Sequence, residues 1–182
     1  TLKMFKKKIT NFSGFTLIEL LVVISIMFLV FGVGYANYRD FQRREYLNSA
    51  VRMVESDLRL AQGLALAGSK PKDSGSPCLT GPLEGYVFRR TRAYSAGPPE
   101  VTTQYTIYAA CPNHNPGDPP VKGPIDLPNK IALGPFSSGN WFMFRSLARG
   151  TDEGSSDVDL DFSYVGTTLS KTLTITPGGT IE

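Results

Sequence analysis

Few side chains in this sequence of 182 residues stand where their type and spacing would do chemistry, and Glu19 is the first of them. It heads Leu20–Tyr38, a run of 19 residues with no formal charge. A charge at the centre of a bilayer costs on the order of 3 kcal/mol. Two readings accommodate it. Near a helix start the macrodipole stabilises an acid; alternatively, Glu19 meets a cation inside the membrane, and we favour the second. Cys78 and Cys111 are the only cysteines. They either pair, closing a loop of about 34 residues worth roughly 3–4 kcal/mol, or remain small buried thiols. They have no zinc spacing. Asp152, Glu153, Asp157, Asp159 and Asp161 are the densest acidic cluster, and Arg89, Arg90 and Arg92 interleave with Tyr86, Phe88 and Tyr94. The sole histidine, His114, sits among Asn113, Asn115 and Pro116, a loop context. No phosphate loop, nucleophile elbow or metal-ligand pair is present, so neither an enzyme nor a cofactor is expected.

The elements that must position these residues divide the chain sharply. All 13 prolines and 14 of the 18 glycines lie at or beyond residue 68. That asymmetry predicts one long helix followed by a turn-rich, β-rich part. Leu20–Tyr38 is apolar on every face and, at about 1.5 Å per residue, spans a hydrocarbon layer of roughly 30 Å. Beyond Arg39, the residues Leu47, Val51, Val54, Leu58, Ala61 and Ala65 alternate in steps of four and three. Arg52, Glu55, Asp57, Arg59 and Gln62 fill the intervening positions, which is an amphipathic helix with one apolar stripe. Gly68 followed by Pro71 stops it, so Phe15–Ala67 reads as a single helix.

Strand candidates are Glu84–Arg90, Val101–Ala109, Ile131–Leu133, Asn140–Arg145, Val158–Tyr164 and Leu169–Thr176. Val158, Leu160 and Phe162 alternate with Asp157, Asp159 and Asp161, so three of the five clustered acids belong to the solvated face of a half-buried strand. Pro112–Pro135 reads as a long surface loop. The fold class expected is α+β, a long N-terminal helix packed by its second half on one antiparallel sheet.

Charge is divided as unevenly as punctuation. The net charge is +3, from 19 basic and 16 acidic residues. Lys3, Lys6, Lys7 and Lys8 all precede the apolar run, and the chain from residue 15 onward holds 15 basic and 16 acidic residues. A generally basic, nucleic-acid-coating protein is therefore disfavoured. Lysines before an apolar span predict an N-terminus held in the cytoplasm and a C-terminal part exported.

Gly14-Phe15-Thr16-Leu17-Ile18-Glu19-Leu20-Leu21-Val22-Val23-Ile24, preceded by Lys6, Lys7 and Lys8, resembles the processing site of type IV prepilins and type II secretion pseudopilins. The resemblance implies cleavage after Gly14 by a membrane peptidase, N-methylation of Phe15, and a role for Glu19 in placing each subunit in a growing filament. Cleavage would remove the lysine anchor and create an α-ammonium at Phe15, a cation suited to neutralise Glu19 of a neighbour. Ser49–Gln62 is similar to the helix of the minor pseudopilin H type (the GspH/FimT-like group), and Leu173–Ile181 resembles its last strand and turn. One departure is that Ala36, where many pilins carry proline, precedes Asn37-Tyr38; Gly32 and Gly34 are the alternative source of flexibility. Some pseudopilins bind calcium near the C-terminus, which makes Asp152, Asp157 and Asp159 calcium candidates, although the spacing is not that of an EF-hand and the solvated face is preferred. Some minor pilins bind DNA, which would recruit Arg89, Arg90 and Arg92. A near-neutral head offers little counterion release, so DNA is not favoured as a partner.

The sequence thus reads as a structural subunit in four parts: a prepilin leader over 1–14, a transmembrane and assembly helix over 15–38, an amphipathic continuation over 39–68, and an exported β-rich head over 69–182. A minor subunit of a type IV pilus or type II secretion pseudopilus is the first reading, with a major pilin or a DNA-receptor minor pilin as alternatives. The implied partners are other pilin-like subunits, a prepilin peptidase and N-methyltransferase, an inner-membrane assembly platform and membrane lipid. The implied location is the bacterial inner membrane, then a periplasmic or extracellular filament.

Overall fold

The structure is a computed structural model that describes Gly14 and residues 16–72, 76–91, 102–112, 120–128, 130–136, 139–148 and 150–182. Lys6, Lys7, Lys8, Phe15, Arg92, Tyr94 and His114 lie outside the described residues. Among the described residues one helix, α1, runs Leu17–Leu66, and seven strands follow it. Its start is fixed by Thr16, whose Oγ1 accepts the Glu19 N–H at 3.3 Å. Its end is a Schellman turn: the Gly68 N–H donates to the Ala65 carbonyl at 3.0 Å and the Ser69 N–H to the Leu64 carbonyl at 3.1 Å. Gly68 takes φ 57° there, a left-handed conformation that glycine adopts without Cβ strain. The helix is unbroken through Gly32, Gly34 and Ala36.

The chain forms two compact units, Thr1–Phe41 and Gln42–Glu182. In the first, the described large apolar side chains, among them Leu17, Ile18, Leu21, Phe28 and Phe31, are exposed. Leu17–Leu66 is a helix long and apolar enough to cross a membrane, and none of its apolar window is buried.

The second unit is built from antiparallel strands: β1 Gly85–Thr91, β2 Gln104–Ala110, β3 Lys122–Asp126, β4 Ile131–Leu133, β5 Trp141–Arg145, β6 Val158–Tyr164 and β7 Ser170–Ile175. They make two sheets, ordered β3-β2-β1-β5 and β4-β6-β7, rather than the single sheet expected. The reason lies at the outer edge of β5. The Asp152 N–H donates to the Met143 carbonyl at 3.0 Å, and the Met143 N–H donates to Asp152 Oδ1 at 2.7 Å. Phe144 also bridges Thr151. That edge is filled by its own following turn, so β6 pairs with β4 and β7 instead.

The reading of Pro112–Pro135 as a loop is corrected by β3, which falls within it, whereas β4 is the expected strand Ile131–Leu133. Lys122-Gly-Pro-Ile-Asp carries little strand signal, since Pro124 lacks an N–H and Gly123 has no side chain to pack. Both are tolerated because β3 is an edge strand with a register shift against β2 between Tyr105 and Ile107. Gly123 has φ 107°, and a Cβ there would come within 3.0 Å of the Tyr105 carbonyl oxygen.

The core lies where α1 meets both sheets. Leu47, Ala50, Val51, Val54, Leu58, Ala61 and Ala65 are all buried in one cluster with Phe88, Ile107, Phe142, Leu160 and Ile175. Phe88 stacks on Tyr105 with ring centroids 5.0 Å apart and on Phe142 at 5.5 Å. Full burial of each large apolar side chain contributes roughly 1.5–3 kcal/mol. The chain end folds back on β7, with backbone bonds between Thr174 and Glu182 in both directions. Gln62 of α1 donates to the Gly179 carbonyl at 2.6 Å, tying this turn to the helix.

Candidate functional site

The segment that carries the chemistry begins where regular structure does. Gly14 is exposed and outside the helix. A Cβ built on it meets nothing within 4 Å, so no contact among the described residues requires glycine at this position. Two residues on, Thr16 is the N-cap, and Thr16-Leu17-Ile18-Glu19 has the Thr-x-x-Glu spacing of a capping box. The Thr16 hydroxyl accepts from the Glu19 amide, and Glu19 is the acid of the first turn. Its carboxylate is exposed at the positive end of the helix, where the backbone dipole stabilises it. The helix-start reading of Glu19 thus has a physical basis in the isolated chain. It leaves the carboxylate accessible to a cation from elsewhere, so the two readings coexist. The Thr16 cap was legible in the Thr-x-x-Glu spacing and was not drawn from it.

The head positions the remaining residues singly. Cys78 follows Ser76, whose hydroxyl accepts the Cys78 N–H at 3.3 Å and caps the short 3-10 turn Pro77–Leu79. Cys78 is bonded to Cys111, at the end of β2, with Cα atoms 5.5 Å apart. The calcium candidates do not converge: Asp152 accepts from the Met143 amide, and Asp159 accepts from the Thr174 hydroxyl at 2.7 Å. Asp161 likewise accepts from the Thr172 hydroxyl across the strand pair at 2.6 Å. Among the described residues no three acidic, histidine or cysteine side chains are grouped to hold a metal ion.

Of the arginine-and-aromatic segment, Tyr86, Phe88, Arg89 and Arg90 are among the described residues. Tyr86 and Phe88 are core residues. Strand alternation sends Arg89 and Arg90 to opposite faces of the sheet. Arg90 donates to the Leu133 carbonyl at 3.0 Å and to Asn140 Oδ1, and lies over the Phe136 ring at 5.7 Å. The two arginines therefore share no surface on which a polyanion would lie.

One polar cluster was missed. Asp57, assigned by sequence to the solvent side of the helix, is buried. It accepts from the Tyr105 hydroxyl at 2.7 Å and pairs with Lys122. Burial, reinforced by the hydrogen bond and the negative charge of Asp57, pushes the Tyr105 phenol well above its usual value. The signal was present, since Asp57 follows Val54 by three and precedes Ala61 by four, which places it on the apolar face. An acid there needs internal partners, and β2 and β3 supply them. The arrangement fixes the helix to the four-stranded sheet.

Comparison with known proteins bears on the N-terminal segment. The family described as the prokaryotic N-terminal methylation motif matches residues 9–35. No curated protein and no solved structure matches the chain significantly.

Proposed function

We propose, from the premise of a prepilin-type methylation motif at residues 9–35, that the chain is a subunit of a type IV pilin-like or pseudopilin filament. The motif supports processing by a prepilin peptidase, assembly with other pilin-like subunits and a structural rather than catalytic role. With the apolar helix, it supports anchoring in the inner membrane before assembly. In this reading, residues 1–14 are a leader held in the cytoplasm by Lys6, Lys7 and Lys8. Residues 15–38 are the membrane and assembly helix, residues 39–68 continue it, and residues 69–182 are the exported head. Cleavage after Gly14 frees the Phe15 amine for methylation. That amine then answers Glu19 on a neighbouring subunit, while the exposed apolar side chains exchange lipid for the helices of other subunits. The similarity of Ser49–Gln62 to the minor pseudopilin H type favours a minor subunit.

The motif match carries this reading, and Gly14 supports it. A glycine that no contact among the described residues requires is accounted for by an enzyme that must approach the backbone closely. The test is the intact mass of the protein from cells that contain a prepilin peptidase. The expected product is residues 15–182 plus one methyl group, and Gly14→Val should remain uncut. A chain that keeps its first 14 residues, or is cut elsewhere, would overturn the reading. Glu19→Ala should be cleaved normally yet fail to enter filaments; normal incorporation would refute the pairing with the Phe15 amine.

A further inference from the structure

The outward face of the four-stranded sheet carries a hollow that the filament reading does not use. It has a volume of about 440 Å³, within the ordinary range for ligand sites. Val87 forms its floor, paired with Tyr108 of β2 on one side and Met143 of β5 on the other. One step along, Arg89 pairs with Trp141. Ala110, a small residue, lines the hollow beside these taller side chains. Trp141, the only tryptophan in the chain, is 48% exposed here. Cys111 lines the same wall, so its bond to Cys78 holds the site in shape.

The lining selects among ligand classes. β1 and β2 are both interior strands, hydrogen-bonded on two sides, so the floor offers no main-chain groups to an added peptide strand. The charged lining residues are one acid, Glu84, just before β1, and one base, Arg89, on β1. A polyanion would find a single cation offset by a carboxylate and would gain little from counterion release. A purely apolar chain would leave both charged groups desolvated without partners. A neutral chain bearing many hydroxyls meets every feature: the C–H faces of its rings stack on Trp141 and Tyr108, Glu84 accepts from hydroxyls and Arg89 donates to them.

We infer that this hollow binds a neutral carbohydrate chain, the tryptophan as stacking platform and Glu84 and Arg89 as the hydroxyl-reading groups. The inference is independent of the filament reading. The test is titration calorimetry on the full chain in a phosphocholine detergent, which has no sugar headgroup, with linear neutral β1,4- and α1,4-linked tetrasaccharides. Saturable binding of at least one of them is expected, with negligible change between 50 and 300 mM salt. Trp141→Ala and Arg89→Ala should each weaken it tenfold or more while the urea midpoint, followed by circular dichroism, stays put. Asp159→Ala, on β6, should leave it unchanged. Absence of saturable binding at millimolar tetrasaccharide, or binding unaffected by both lining variants, would overturn the inference. So would tighter, salt-sensitive capture of an oligothymidylate, which would make the platform a nucleic-acid surface.

Discussion

Leu29 and Leu58 lie on the same helix, yet Leu29 is 73% exposed and Leu58 is 0% exposed. Helical geometry is common to both, so the difference resides in what surrounds each half. From Leu20 to Tyr38 the helix is apolar on all sides, and no single packed sheet would cover it. From Leu47 to Ala65 the apolar residues form a stripe, and two sheets bury it. The head is thus complete within one chain, whereas the first half of the helix finds its solvent or its partners outside the chain. That division fits the function proposed above, a filament subunit whose head folds by itself and whose apolar helix exchanges lipid for protein.

The sharpest way to break the comparison is to make one substitution in both halves. Leu58→Ala should destabilise the head by about 2–5 kcal/mol, through lost burial and the cavity left behind. Leu29→Ala should change it by no more than about 0.5 kcal/mol. Urea unfolding of the full chain in detergent, followed by Trp141 fluorescence, reads both. Equal effects would mean that the two halves are not energetically separate.

Polar chemistry sharpens the same contrast. Asp57→Ala leaves the Tyr105 hydroxyl buried without its acceptor and removes the partner of Lys122, and should destabilise the head by about 1–3 kcal/mol. The equivalent removal of an acid in the other half, Glu19→Ala, should leave the head's urea midpoint unchanged. A smaller effect follows from Tyr105 and Tyr86, whose phenols burial holds above the usual value of 10.0. The unfolded chain releases these protons near pH 10 while the folded chain keeps them, so their stabilising contribution is intact below pH 10 and declines above it. For one such group the loss is about 1 kcal/mol by pH 11. Urea midpoints measured from pH 8 to 11 should fall above 10, and Tyr105→Phe should make that fall shallower.

What could be read from the sequence follows the same line. The stripe Leu47 to Ala65, the Gly68 stop and the strands Ile131–Leu133 and Val158–Tyr164 were legible because each rests on local periodicity or turn chemistry. Two sheets were read as one because the outer edge of β5 is filled by Thr151 and Asp152, a tertiary fact with no periodic signature. β3 was hidden by the Gly123-Pro124 pair, which argues against a strand except at an edge. Asp57 was misplaced because its charge was given more weight than its spacing. At the N-terminal segment the motif was legible residue by residue, since it is one contiguous run and does not depend on long-range packing.

The smallest expected effect tests where the exposed half begins. Thr16 caps α1 through the Glu19 amide. Replacing Thr16 with alanine removes the acceptor and should cost about 0.5–1 kcal/mol, confined to the first turn because helix ends open locally. The amides of Glu19 and Leu20, which bond to the Thr16 hydroxyl and carbonyl, should then exchange with solvent roughly two- to fivefold faster in detergent, with exchange at Leu58 and Phe88 unchanged. Thr16→Ser keeps an acceptor and should restore slow exchange. If the alanine variant also accelerated exchange in the head, the two halves would be coupled through the helix, and the membrane half could not be treated as an independent assembly element. If nothing changed, the cap would be redundant, and the helix start would be set by the apolar run from Leu17 onward.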